Sequence, residues 1–93
     1  MGVAVLEVEG PLYAALGAEL RRIVESLLNR GQRRIQLCLG GVMTVDAAGI
    51  SALVRLHQMV AAANGMLRIT CATNHVRVVL DRVGLLDLFN REL

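Results

Sequence analysis

The chain has almost no aromatic side chains: Tyr13 and Phe89 are the only two among Phe, Tyr and Trp. Bases therefore find no stacking platform on it, and a bilayer interface finds no aromatic belt. Lysine is absent, and ten arginines stand against eight acidic residues for a formal net charge of +2. That excess is too small to hold a polyanion by counterion release, so nucleic acid is not the expected partner. The all-arginine basic set fits nucleotide bias in the coding genome as well as it fits bidentate anion contacts. A single proline and 55% hydrophobic against 19% charged residues exclude a disordered tail or linker. No uncharged run reaches the roughly 20 residues of a membrane helix, and the run Ile35 to Val45 carries two glycines. No basic patch with an apolar run and cleavage site opens the chain, and Leu6 stands where myristoylation requires Ser or Thr. These absences predict a cytoplasmic protein of bacterial type with no direct membrane insertion. Cys38 and Cys71 lie 33 positions apart, each in an apolar strand-like run. They are expected to be small buried hydrophobes in a reducing compartment rather than a disulfide.

Ninety-three residues close one hydrophobic core and leave no room for two, so residues 1–93 are read as a single domain. Val3 to Val8 alternates weakly and stops at Glu9-Gly10-Pro11, which predicts a first strand. From Tyr13 the period changes, and Leu16, Leu20, Ile23, Val24, Leu27 and Leu28 fall on one helical face, closed by Gly31 as a left-handed cap. Arg33 to Leu39 reads as a strand with Ile35, Leu37 and Leu39 on one face, followed by Gly40-Gly41 and the apolar Val42-Met43. A second helix is predicted from Ala47, with the stripe Ile50, Leu53, Val54, His57, Val60 and Ala61 and a stop at Asn64-Gly65. Met66 to Thr73 is the third strand. Asn74 is the expected cap of a third helix buried through Val76, Val79, Leu80 and Val83, and Leu85 to Phe89 forms an apolar terminal turn. The order β, α, β, α, β, α with short connections predicts a small α/β structure: a mixed sheet of three to four strands with helices packed on one face.

Chemistry has little to build on. Gly40-Gly41 lacks the lysine and hydroxyl of a phosphate-binding loop, and no G-x-G-x-x-G occurs. His57 and His75 have no cysteine or carboxylate at metal-ligand spacing, and His57 on an apolar stripe reads as a hydrogen-bonded histidine at the core edge. Ser26, Ser51, Thr44, Thr70, Thr73 and the cysteines have no neighbouring base with an orienting group. The chain is therefore expected to be no enzyme and to need no cofactor or metal. What remains is Val42-Met43-Thr44-Val45-Asp46-Ala47-Ala48-Gly49-Ile50, a strand exit entering a helix through an acidic residue and three small ones. Asp46 is placed to accept from the free N–H groups of the first turn and to meet the positive end of the helix dipole.

At this segment the sequence resembles the STAS family, the domain shared by sulfate transporters and anti-sigma factor antagonists. The family's L-x-G-x-L strand end is matched at Leu6 to Leu12, its D-S-S-G-L loop at Asp46-Ala47-Ala48-Gly49-Ile50, and its G-L-x-x-x-F at Gly84 to Phe89. In anti-sigma factor antagonists the second loop serine is phosphorylated by a partner that is both kinase and anti-sigma factor. That serine aligns with Ala48, and with Ala47 beside it neither position carries a hydroxyl. Cys38 stands where many members have an aspartate, and the short amino terminus leaves little room for the family's extra first strand. The resemblance implies a non-catalytic interaction module that binds an anti-sigma factor or serine kinase-like protein without a phosphate switch. The surface it implies is Thr44, Asp46, Ala47, Ala48, Gly49 and Ile50 with Arg55 and Met59 on the second helix. Thr44 and Ser51 stand as alternative phosphate acceptors, expected to lack the exposure a kinase needs. The alternative role is that of a cytoplasmic STAS subunit bracing the ATPase of a lipid-transport ABC transporter. Homodimerisation through Val78 and Leu85 to Phe89 is left open.

Overall fold

The computed structural model describes residues 2–85 and residue 88. Three strands, β1 (Ala4–Glu9), β2 (Arg34–Gly41) and β3 (Met66–Thr70), alternate with three helices, α1 (Ala14–Asn29), α2 (Ala47–Ala62) and α3 (Asn74–Arg82). The class is the expected α/β. The strands pair in the order β1-β2-β3, and both pairings are parallel. Among the described residues, then, the sheet has the lower of the expected strand numbers and is parallel rather than mixed. The reason is connectivity, because each strand reaches the next through a helix and a crossover returns the chain in the same direction.

The register places Ala4, Ile35 and Leu67 in one row and Leu6, Leu37 and Ile69 in the next. These rows form one face of the sheet, since side chains alternate with period two. They join Leu20 and Val24 of α1, Leu53, Leu56 and Val60 of α2, and Val76 and Leu80 of α3 in one core. The opposite face carries Val5, Glu7, Gln36, Cys38, Arg68 and Thr70, and none of these is buried.

The helix ends follow the expected chemistry with one change of residue. Gly31 has φ 89° and Asn64 has φ 61°. After α1 the Gln32 N–H donates to the Leu27 carbonyl at 2.9 Å, and after α2 the Gly65 N–H donates to the Val60 carbonyl at 2.8 Å. Both are Schellman closures. In the second, Asn64 takes the left-handed position in place of Gly65, because asparagine tolerates that conformation.

Several single-residue expectations are corrected. Ile23 is exposed on α1 and Ala61 on α2, whereas Leu56 is buried. The buried stripe of α2 is therefore rotated toward Leu53, Leu56 and Val60, because that helix packs against both α1 and β3. Met43 is 74% exposed and Val83 50% exposed, while Val42 is fully buried. β3 ends at Thr70 rather than Thr73, because Cys71 turns to φ 61° and leaves the extended conformation. Thr73, not Asn74, caps α3, with its hydroxyl accepting from the Val76 N–H at 3.4 Å. The cysteines are not buried: Cys38 is half-buried and Cys71 exposed. Leu85 is buried and Leu88 half-buried, while Leu86, Asp87 and Phe89 of the terminal turn lie outside the described residues.

Candidate functional site

The site is built at the carboxyl end of the sheet, where the exit of β2 becomes α2. Leu12, in the connection from β1 to α1, is fully buried and bridges to Val45 in parallel. Its N–H donates to the Thr44 carbonyl at 2.9 Å, and its carbonyl accepts from the Asp46 N–H at 3.4 Å. The two loops thus continue the β1–β2 pairing beyond the sheet, which holds the β2 exit in place.

Asp46 then opens α2. Its backbone is extended, and Oδ1 accepts from the Gly49 N–H at 2.8 Å while its carbonyl accepts from the Ile50 N–H at 2.9 Å. The carboxylate satisfies one of the free donors of the first turn and sits at the positive end of the helix dipole. Gly49 is buried against the Leu12 backbone, and a Cβ there would overlap the Leu12 carbonyl oxygen and crowd Val45. Only glycine lets α2 begin this close to the strap formed by Leu12. Gly49 therefore shapes the loop from inside and offers no outer surface.

With the start of α2 fixed in this way, Asp46, Ala47 and Ala48 are all exposed. Ala48, Ser51, Ala52 and Arg55 follow at i, i+3, i+4 and i+7, so they share one helical face. That face lines a groove of about 790 Å³ against Ala14, Gly17, Ala18, Arg21, Arg22 and Glu25 of α1. Three guanidinium groups oppose one carboxylate there, so the groove is positive at its rim. The structure brings Ala48 and Arg55 together on this groove. It leaves Thr44 and Ile50 half-buried, with Ile50 packed on the core, and Met59 half-buried one turn beyond Arg55. Ser51 is exposed, contrary to expectation, because the groove opens at its position.

The contribution of α1 was not visible in the sequence. Arg22 and Glu25 lie opposite the apolar stripe and read as an ordinary solvated face, and no pattern singles out Arg21. The one signal was Gly17 within a helical pattern, whose close contact with Ala52 brings the two helices together. Among the described residues no group of three or more His, Cys, Asp or Glu is placed to hold a metal ion, and no helix is long and apolar enough to cross a membrane. His57 is half-buried on α2 and His75 exposed on α3.

Comparison with known proteins agrees with this architecture. A sulfate transporter family protein from Wolinella succinogenes superposes with a TM-score of 0.85 at 19% identity, covering 97% of this chain and 73% of that one. The protein TM1081 gives 0.81 at 20% identity, covering 96% and 71%. The Bacillus cell fate determinant SpoIIAA in its phosphorylated form gives 0.70 at 17% identity, covering 89% and 76%. A search of curated protein sequences finds no significant match. At these identities the likeness is one of fold. The model of the STAS domain matches residues 1–93, and the chain belongs to the STAS domain family.

Proposed function

We propose that this STAS domain is a non-catalytic protein-interaction module that acts like an anti-sigma factor antagonist, binding an anti-sigma factor of the serine kinase-like type. One observation carries the reading: exposed Ala48, at the start of α2, opens onto the positive groove between α1 and α2. A phosphoserine at this point of the fold would add about −1.5 to −2 charge and three acceptor oxygens, enough to repel a docked partner. Alanine carries no such switch, so docking here is constitutive. The partner face is acidic, to match Arg21, Arg22 and Arg55, and it approaches Asp46, Ala47 and Ala48 closely because their side chains are short.

The test is a pull-down from native lysate, divided into soluble and membrane fractions, with captured proteins identified by mass spectrometry. Wild type is compared with Asp46→Arg and Ala48→Glu. Ala48→Glu is the cleaner variant, because an acidic residue in the first turn of a helix favours the fold through the dipole. Capture of a soluble kinase-like protein that both variants lose is the expected result. Capture that neither variant weakens overturns this surface. The exposed alanine pair also suits a permanent subunit interface, and capture of a membrane-associated ATPase instead moves the domain to the transport role. Intact mass after incubation with the captured kinase tests Ser51 and Thr44, and the proposal expects no added phosphate.

A further inference from the structure

We propose that Cys38 and Cys71 form a thiol pair that a hydroperoxide closes to an intramolecular disulfide across the ends of β2 and β3. Cys38 is in register with Thr70, so Cys71 is the residue next to its partner on the adjacent parallel strand. Neighbouring strands about 4.8 Å apart, with a rise of about 3.3 Å per residue, set the two Cα atoms about 6 Å apart. A disulfide spans roughly 4.4–6.8 Å between Cα atoms.

Direction matters as much as distance. Leu67 and Ile69 point to the core, and an extended residue at 71 would follow them by the period of two. Cys71 instead adopts φ 61°, a left-handed conformation that costs any residue with a Cβ, and its side chain is exposed. Cys38 points to the same open face as Gln36. Both cysteines border the space over Gly40: the point where its Cβ would stand lies 3.3 Å from the Cys71 carbonyl oxygen, 3.8 Å from Cys71 Cβ and 3.9 Å from Cys38 Sγ. Glycine keeps a side chain out of the space between them. The Gly40 amide lowers the Cys38 thiol, but donor–acceptor interaction with Cys71, partial burial and the charges of Cys71 and Glu7 outweigh it, and the thiol lies above its ordinary value.

These positions assign the roles. The exposed Cys71 thiolate attacks a peroxide oxygen, the O–O bond breaks, and hydroxide leaves to become water, so Cys71 is oxidised to a sulfenic acid. The Cys38 thiolate, formed as its proton passes to solvent, then attacks the Cys71 sulfur. The S–O bond breaks, and the departing hydroxide takes up a proton as a second water. Two thiols and one hydrogen peroxide give one disulfide and two waters, with two electrons passing from sulfur to peroxide. The bond ties β2, just before its exit toward Asp46, to the residue two positions before the Thr73 cap of α3. This inference is independent of the partner proposed above.

The test is titration of the reduced 93-residue chain with hydrogen peroxide, followed by alkylation of remaining thiols and intact-mass analysis. Expected is joint loss of both alkylation sites in a monomer lighter by two hydrogen atoms, with a Cys38–Cys71 cross-linked peptide and full recovery on reduction. Cys38→Ser should instead accumulate a Cys71 sulfenic acid, trapped as a dimedone adduct, at least tenfold above wild type. Wild type that traps as much dimedone as Cys38→Ser, forms cross-links only between chains, or keeps both thiols alkylatable overturns the proposal. Circular dichroism of the variant verifies the fold for that comparison.

Discussion

Exchange of two small residues between α1 and α2 tests how the groove is set. A Cβ on Gly17 would stand 2.7 Å from the Ala52 Cβ, with no other heavy atom outside its own helix and chain neighbours within 4 Å. Carbon atoms prefer about 3.5–4.0 Å, so Gly17→Ala forces the helices apart by roughly 1 Å. Overpacking of this size costs about 1–3 kcal/mol, against about 1 kcal/mol gained from helix propensity, for a net loss near 1 kcal/mol. Ala52→Gly loses about 1 kcal/mol of propensity, plus about half of the ~0.8 kcal/mol of a buried methyl, because Ala52 is half-buried. In the double variant the propensities cancel, and one methyl again meets one glycine. The singles should sum to a loss of about 2.5 kcal/mol, while the swap should lie within about 0.5 kcal/mol of wild type, a coupling of about 2 kcal/mol. Urea unfolding followed by far-ultraviolet circular dichroism measures all four proteins, and a chain of this size suits two-state treatment. A swap as unstable as the sum of the singles would refute the argument that Ala52 dictates glycine at position 17.

Asp46→Ala removes the bond to the Gly49 N–H and the favourable charge at the helix start. A loss of about 1 kcal/mol, seen as a lower urea midpoint at unchanged slope, is expected, with Asp46→Asn retaining much of it. The Cys38 thiol is raised in the folded protein, so the pH–rate profile of its alkylation should have a midpoint above the ordinary thiol value and should shift down in Cys71→Ala. The sign for stability follows: this contribution is fully present below the unfolded thiol pKa and is lost as pH rises through the folded one, so Cys38→Ser should flatten the alkaline decline in unfolding midpoint.

Most of the fold was legible from periodicity. Leu20, Val24, Ile35, Leu37, Leu39, Leu53, Val60, Val76 and Leu80 were placed inside by spacing alone, and all nine are buried. Errors fell at the margins of helical stripes, where spacing leaves the facing direction undetermined by about one residue, and at the end of β3, where Cys71 leaves the extended conformation. Leu56 is buried and Ala61 exposed because α2 is shared between α1 and β3, which no local pattern specifies. At the site, the Asp46 cap was readable because a carboxylate three residues before a free amide is a local relation. The strap through Leu12 and Gly49 was not, because it joins residues more than 30 positions apart.

What can be read from the chain alone is therefore local or compositional: element order, the Asp46 cap, an α/β core, the absence of a hydroxyl at positions 47 and 48, and a family resemblance that the whole-chain STAS match upholds. Tertiary structure alone decided which residues meet. Arg21 and Arg22 face Ala48 and Arg55 because Gly17 and Ala52 let two helices close. Cys38 and Cys71, read as separate buried hydrophobes, meet because parallel register puts β2 and β3 side by side and a left-handed residue turns one thiol outward. Pairing register and helix approach are properties of the packed core, whose energy depends on all elements together, and so they are not written in any single stretch of the chain.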